Sequence, residues 1–326
     1  MKHIRVAAID IGSNSVRLLV ADVDVRDGSE WPIEPVARTG AICRLARGLD
    51  QAGIIEAELA QRAGSLAAEF VRRARSLGAR HILIGATAAI RNARNGADVA
   101  EIVGSMTGLP VRVLSGDEEA RLVYRSVVLG FGGTAARSAC VVFDIGGGST
   151  EVVSGVGVSA GRWVSLPFGA VSLTERFLCT DPPSVEEVED LKAEVSAEIM
   201  HQCAYMPEEA PLFAGVGGSV TILGCLDRGL LSYEPTMLEG WCIQRERLPG
   251  LVGRLVQSRH DERRVLPAVG EGRADIAAAG ALVVGLLMDR FPSRGLVCST
   301  RGLRYALVRM AAEEAQGGRL DPGSVG

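Results

Sequence analysis

Apolar and polar positions along this 326-residue chain switch between short β-branched runs and longer stretches of helical spacing, the signature of an α/β architecture. Arg5 to Asp10 is an apolar run ending on a carboxylate. A Gly-Ser-Asn turn follows it, then a second apolar run from Val16 to Val23. Both runs read as buried strands. Gln51 to Leu77 reads as one long helix, with Leu59, Leu66, Phe70, Ala74 and Leu77 at helical spacing. His81 to Gly85, Val111 to Leu114, Leu212 to Val216 and Leu296 to Ser299 are further short strands, and Asp98 to Met106 is a helix. Ser184 and Glu187 make a Ser-x-x-Glu capping box for a helix running to about Ala204. The longest apolar stretch, Ile276 to Met288, has 13 residues, too few to span a bilayer and suited to a buried helix. The tail after Ala315 is expected to fray.

One pattern occurs twice. VAAIDIGSNSVRLLVADV near the start returns 134 residues later as CVVFDIGGGSTEVVSGV. Asp10 aligns with Asp144, Ile11 with Ile145, Gly12 with Gly146 and Ser15 with Ser149. Each copy is a strand, an aspartate, a glycine-rich turn and a second strand, which predicts two related halves facing each other across a cleft. The length agrees, since roughly 150 residues per domain gives two domains.

The turns carry the first candidate chemistry. Gly12, Ser13, Asn14 and Ser15 could aim successive backbone N–H groups at a phosphate, as could Gly146, Gly147, Gly148 and Ser149. Gly217, Gly218 and Ser219 form a third such turn, at a strand-to-helix junction where the helix dipole favours an anion. No Walker lysine motif is present. Asp10 and Asp144 end apolar strands, and Glu151 lies two residues past Ser149. Carboxylates with substrate phosphates form the oxygen-only set that Mg²⁺ takes. Arg91 follows a strand end and can fork a phosphate, whereas Arg94 reads as a surface residue. In the stretch Ser115-Gly116-Asp117-Glu118-Glu119-Ala120-Arg121, Glu118 can serve a capping box and Asp117 can pair with Arg121. Glu119 has neither role. With Leu122 and Val123 three and four residues on, it points along the inward stripe, as a general base would.

Composition narrows the partners. Net charge is −4, which argues against a basic shell for nucleic acid or membranes, and only 14 residues are aromatic, thin for stacking bases. The seven cysteines include no C-x-x-C pair and are odd in number, so they read as reduced thiols of a cytoplasmic protein. The N-terminus has no signal-peptide pattern.

IDIGSNSVRLLV, ATAAIRNARN, LSGDEEARLVY, FDIGGGSTEVV, LPFGAVSLTERF, GVGGSVTIL and STRGLRYALV together resemble, in order, the motifs of the exopolyphosphatase / guanosine pentaphosphate phosphohydrolase (Ppx/GppA) family, from residue 5 to about 309. The resemblance implies two actin-like (ribonuclease H-like) lobes. The first runs from residue 1 to about Val123, the second from 124 onward, and a C-terminal helix near Leu303–Glu314 packs back on the first. It implies Mg²⁺-dependent removal of a terminal phosphate from inorganic polyphosphate or guanosine pentaphosphate, and leaves a homodimer open. By motif position Glu119 resembles the catalytic base and Arg91 the phosphate-binding arginine. Asp144 and Glu151 would hold the metal and the attacking water, and the glycine turns the phosphates. Asp10 joins them as a metal candidate. Many relatives continue into an HD-like region that grips long chains, and this sequence stops at 326, so short polyphosphate is the expected substrate. Ala46 stands in RLARGLD where relatives often have glycine, and the spacing before Arg273 is altered. A small-molecule kinase and a non-catalytic polyphosphate or alarmone sensor are the rival readings on the same fold.

Overall fold

The computed structural model describes residues 3–25, 31–132, 138–266 and 268–317. It divides into two units, Met1–Ser115 with Leu303–Gly326, and Gly116–Gly302.

In the first unit β1 (His3–Ile11) and β2 (Ser15–Asp24) form the antiparallel pair foreseen from the apolar runs, and β3 (Ile33–Ile42) extends it. The predicted 51–77 helix is two helices, α1 (Leu49–Ala52) and α2 (Ala57–Ser76). Gly53 breaks it with a left-handed φ of +67°, a conformation that costs glycine little. The buried stripe of α2 runs Ala60, Ala63, Gly64, Ala67, Phe70, Val71 and Ala74, while Leu59, Leu66 and Leu77 are only half-buried. Then follow β4 (His81–Ala86), α3 (Ala88–Asn92), α4 (Gly96–Thr107) and β5 (Val111–Val113). The sheet order is β3-β2-β1-β4-β5, with β1, β4 and β5 parallel. Helix α2 covers this sheet with α4 beside it.

The second unit opens with α5 (Gly116–Phe131) and repeats the sheet: β6 (Ala139–Ile145), β7 (Thr150–Val156) and β8 (Ser159–Leu166). Helices α6 (Ala170–Phe177) and α7 (Val185–Gln202) precede β9 (Leu212–Gly217) and α8 (Gly218–Arg228). The capping box at α7 forms as expected, with Glu187 N donating to Ser184 Oγ at 3.2 Å and Ser184 N to Glu187 Oε2 at 2.9 Å. After α9 (Pro235–Leu238), β10 (Cys242–Gln244), α10 (Leu248–Gln257) and α11 (His260–Arg264) come the buried α12 (Ala277–Arg290) and β11 (Gly295–Cys298). The order β8-β7-β6-β9-β11, with β10 as an added antiparallel edge, reproduces that of the first unit. These are two α/β units of matching strand order, the α/β architecture the resemblance implies. The last helix, α13 (Leu303–Ala315), belongs to the first unit and packs on β1, β2 and β4. Helices cover the central strands, so β1 is buried without a break from Val6 to Ile11 instead of alternating. The frayed tail expected after Ala315 lies outside the described residues from 318 onward.

The unit boundary falls between Ser115 and Gly116, not near Val123. Side chains of α5 explain the difference. Arg121 stacks on the Trp163 ring of β8 at 3.9 Å, and the Tyr124 hydroxyl donates to Gly157 O at 2.8 Å, so the whole helix sides with the second sheet. No helix among the described residues is long and apolar enough to cross a membrane.

Candidate active site

Both copies of the duplicated turn close in the same way: Gly12 N donates to Ser15 O at 3.0 Å, and Gly146 N to Ser149 O at 2.9 Å. In both, two carbonyls of the turn are taken by the segment after the third strand, one position earlier in the second copy than in the first. Ala46 N donates to Ser13 O, and Cys43 and Arg44 N to Asn14 O, each at 2.9 Å. Ala170 N donates to Gly146 O, and Val171 and Ser172 N to Gly147 O, at 2.9 to 3.1 Å. A trans peptide holds its N–H opposite its C=O. The N–H groups of Asn14, Gly147 and Gly148 are therefore turned away from those segments, as an anion nest requires. Gly169 makes the second turn possible, because a Cβ there would lie 2.5 Å from Gly146 O. No local pattern marks Gly169 in the sequence, since its need appears only once two separate segments touch.

In the first unit, Asp10 pairs with Arg17 across β1 and β2, and with Gly85 of β4. Burial pushes its carboxyl up, and the charges of Arg17 and Arg304 pull it back. Arg17 Nε also donates to Ser15 Oγ at 2.9 Å, so that hydroxyl is already engaged. Arg91 lies on α3, just past β4, half-buried, with Nη1 donating to Leu114 O at 3.0 Å beyond the end of β5. The backbone thus holds Arg91 at the carboxyl ends of the parallel strands, where open α/β sheets bind ligands. Arg94 is exposed and structural: its Nη2 donates to Ala52 O at 2.8 Å and its guanidinium covers Gly53.

In the second unit, successive strand residues point to opposite faces. Phe143 and Ile145 enter the core shared with α7, α8 and α12. Asp144, on the other parity, points to the opposite face, and its cross-strand partner Glu151 goes with it. Helix α5 covers that same face, since Tyr124 Oη lies 3.2 Å from Cys140 Sγ, and Cys140 shares the parity of Asp144. Glu119, in the first turn of α5, is 7% exposed, Glu151 only 2%, and Ser165 Oγ donates to Glu151 Oε1 at 2.9 Å. Asp117 is exposed and Glu118 half-buried, so of the three acidic neighbours only Glu119 is buried. Asp144 and Glu151 thus share one sheet face, and Glu119 belongs to the helix that covers it. Asp144 is confined from behind, as a Cβ on Gly217 (φ +96°) would lie 2.8 Å from its Oδ1.

At the third turn, Gly217 caps α8, but the Ser219 side chain faces inward, its Oγ 2.0 Å from where a Cβ on Gly280 of α12 would lie. A phosphate there would meet backbone N–H groups, not the hydroxyl. The turn has a neighbour that the sequence did not mark out as chemical: the guanidinium of Arg273 lies over Gly218, with Cζ and Nε 3.5 Å from a Cβ built there. Among the described residues no three His, Cys, Asp or Glu side chains are grouped to hold a metal. Any cation would rest on one or two carboxylates and on substrate oxygens, a set that fits Mg²⁺.

The model of the Ppx/GppA phosphatase family matches residues 20–313. Exopolyphosphatase 2 of Mycobacterium tuberculosis is 33% identical over 291 residues, covering 86% of this chain and 88% of that protein. Exopolyphosphatase 1 of Mycobacterium bovis is 33% identical over 321 residues, covering 97% and 91%. The crystal structure of the Aquifex aeolicus member of the Ppx/GppA family covers 98% of this chain and 100% of that one, at 27% identity and a TM-score of 0.79. Motif order, duplicated sheet and these similarities lead to one conclusion: the chain belongs to the Ppx/GppA phosphatase family.

Proposed function

We propose that this phosphoanhydride hydrolase is a Mg²⁺-dependent exopolyphosphatase that releases the terminal phosphate of inorganic polyphosphate, short chains being favoured. The observation that supports the reading is the pairing of Asp144 with Glu151 on the sheet face that α5, the helix carrying the buried Glu119, covers, next to a glycine turn whose carbonyls are taken by the α6 segment. The names of the Mycobacterium relatives point to the same substrate.

In the proposed reaction a water oxygen attacks the terminal phosphorus in line with the bridging oxygen. That P–O bond breaks, and the shortened chain leaves with the bridging oxygen. Glu119 takes the water's proton, a role suited to a carboxylate in a buried position. The N–H groups of Gly147 and Gly148 bind the transferring phosphoryl oxygens, and Arg91 forks a phosphate of the chain. Asp144 and Glu151 are the residues that would hold Mg²⁺. Bound there, the ion supplies charge neutralisation on the phosphates, which with positioning accounts for most catalysis of phosphoryl transfer. A net charge of −4 offers no long basic track, hence the preference for short chains. Free cysteines at all seven positions suit a reducing, cytoplasmic setting.

The test is phosphate release from short polyphosphate, long polyphosphate and guanosine pentaphosphate side by side, with and without Mg²⁺. Short polyphosphate is expected to give the highest kcat/KM, and only with the metal. Equal or better turnover of long chains overturns the length preference, and a clear preference for guanosine pentaphosphate reassigns the substrate.

A further inference from the structure

Arg263 of α11 is the one arginine among the described residues that is buried, at 4% exposure. A buried cation is tolerated only when its donors are met. Its Nε donates to Ala274 O at 2.7 Å, Nη1 to Ser258 O at 2.9 Å and Leu255 O at 3.3 Å, and Nη2 to Asp181 Oδ1 at 3.1 Å. Asp181 also accepts the N–H of His260 at 2.8 Å, fixing the start of α11. One guanidinium thereby joins the end of α10, the start of α11, the segment before α7 and the carbonyl of Ala274.

The bond to Ala274 has a consequence beyond packing. Ala274 follows Arg273, whose guanidinium covers Gly218 at the third glycine turn. The local turn bonds around Arg273 are longer: Arg273 N to Gly270 O is 3.3 Å and Ile276 N to Arg273 O is 3.2 Å. The bond from Arg263 Nε to Ala274 O, at 2.7 Å, is shorter than either. We propose that Arg263 is a positioning residue for phosphate binding, one that fixes the Ala274 carbonyl and so aims Arg273 at the Gly217–Gly218–Ser219 turn. The inference rests on the reading of that turn as a phosphate site. A residue that only held the unit together would lower stability and leave substrate binding in the surviving fold unchanged.

The experiment compares Arg263→Lys, Asp181→Asn, Arg273→Ala and each of the first two combined with Arg273→Ala, by steady-state kinetics on tripolyphosphate with thermal melts. Lysine keeps the charge but cannot reach four acceptors in the guanidinium's plane. Arg273→Ala is expected to raise KM about tenfold or more, the loss of a charged hydrogen bond. Arg263→Lys should raise KM by roughly 3- to 10-fold with kcat within about twofold. Asp181→Asn should raise it less, in the same direction. Neither should add to the KM of Arg273→Ala, since residues acting through one contact are not additive. Unchanged KM with a lowered Tm, or effects that multiply in the combined variants, overturns the inference. If Arg263→Lys does not fold, Asp181→Asn decides by the same two criteria. A wild-type protein active only on guanosine pentaphosphate moves the comparison to that substrate. One inert toward both overturns the phosphatase reading and this inference with it.

Discussion

Glu151 stands in the second sheet at the register position that Arg17 holds in the first. Asp10 pairs with Arg17 across β1 and β2, and Asp144 pairs with Glu151 across β6 and β7, at the same distance from the duplicated turn. The repeat has thus kept its backbone and reversed the charge of one side chain. Asp10 has Arg17 and Arg304 as charge partners, while Asp144 lies opposite a second carboxylate. Two adjacent carboxylates repel unless a cation or proton lies between them, so under the proposed function it is the second copy that would hold Mg²⁺. Glu151→Gln should raise the Mg²⁺ concentration for half-maximal phosphate release by about tenfold or more, on the scale of perturbed metal sites. A magnesium titration of both proteins checks it, and an unchanged midpoint removes Glu151 from the metal site.

The adjacent glutamates of α5 supply an internal control. Neighbours on a helix point about 100° apart, and only Glu119 is buried. Glu119→Gln keeps size and shape but cannot accept the water's proton, and should lower kcat by about 10²- to 10⁴-fold. Glu118→Gln should be nearly silent. The readings are kcat for both variants, with melts to show that each is folded. Retention of more than about a tenth of activity by Glu119→Gln would be far too little loss for a general base.

Arg91 and Arg94 separate function from support. Arg91→Ala should reduce kcat/KM by roughly 10- to 150-fold, the worth of a charged hydrogen bond. Arg94→Ala loses the bond to Ala52 O and the cover over Gly53. Its expected cost is about 1 kcal/mol of stability with kinetics unchanged. Near-normal kinetics for Arg91→Ala would reduce it to a brace for Leu114.

Buried thiols give the protein an alkaline limit. Burial pushes Cys43, Cys203 and Cys225 up to about 11 from an ordinary 9.0. Below pH 9 these thiols are protonated in folded and unfolded chains alike. Between 9 and 11 the unfolded chain releases protons that the folded one retains, so stability falls as pH rises through that window. Tm should drop steadily across it, and less steeply in a Cys43→Ala, Cys203→Ala variant. Equal slopes would mean that these thiols do not set the limit.

The sequence by itself determined the duplicated strand-turn-strand unit, the capped start of α7 and the buried α12, because each is written in local periodicity, turn chemistry or a run of apolar residues. It also singled out Glu119, by the spacing of the apolar residues that follow it on α5. It did not reveal β3, whose Pro35 and Gly40 read as loop residues and are tolerated because the strand is at a sheet edge. Nor did it show that Gly53 splits the long helix, since one glycine within a helical pattern is ambiguous until its φ is known. Only the tertiary structure decided that α5 sides with the second sheet, that Gly169 must lack a side chain, that Ser219 turns inward and that Arg263 restrains Ala274. Each of these depends on contacts between separate segments of the chain, where hydrogen-bond geometry and excluded volume select the partner. Periodicity along the chain places a residue on a face, and the opposing segment decides what that face meets.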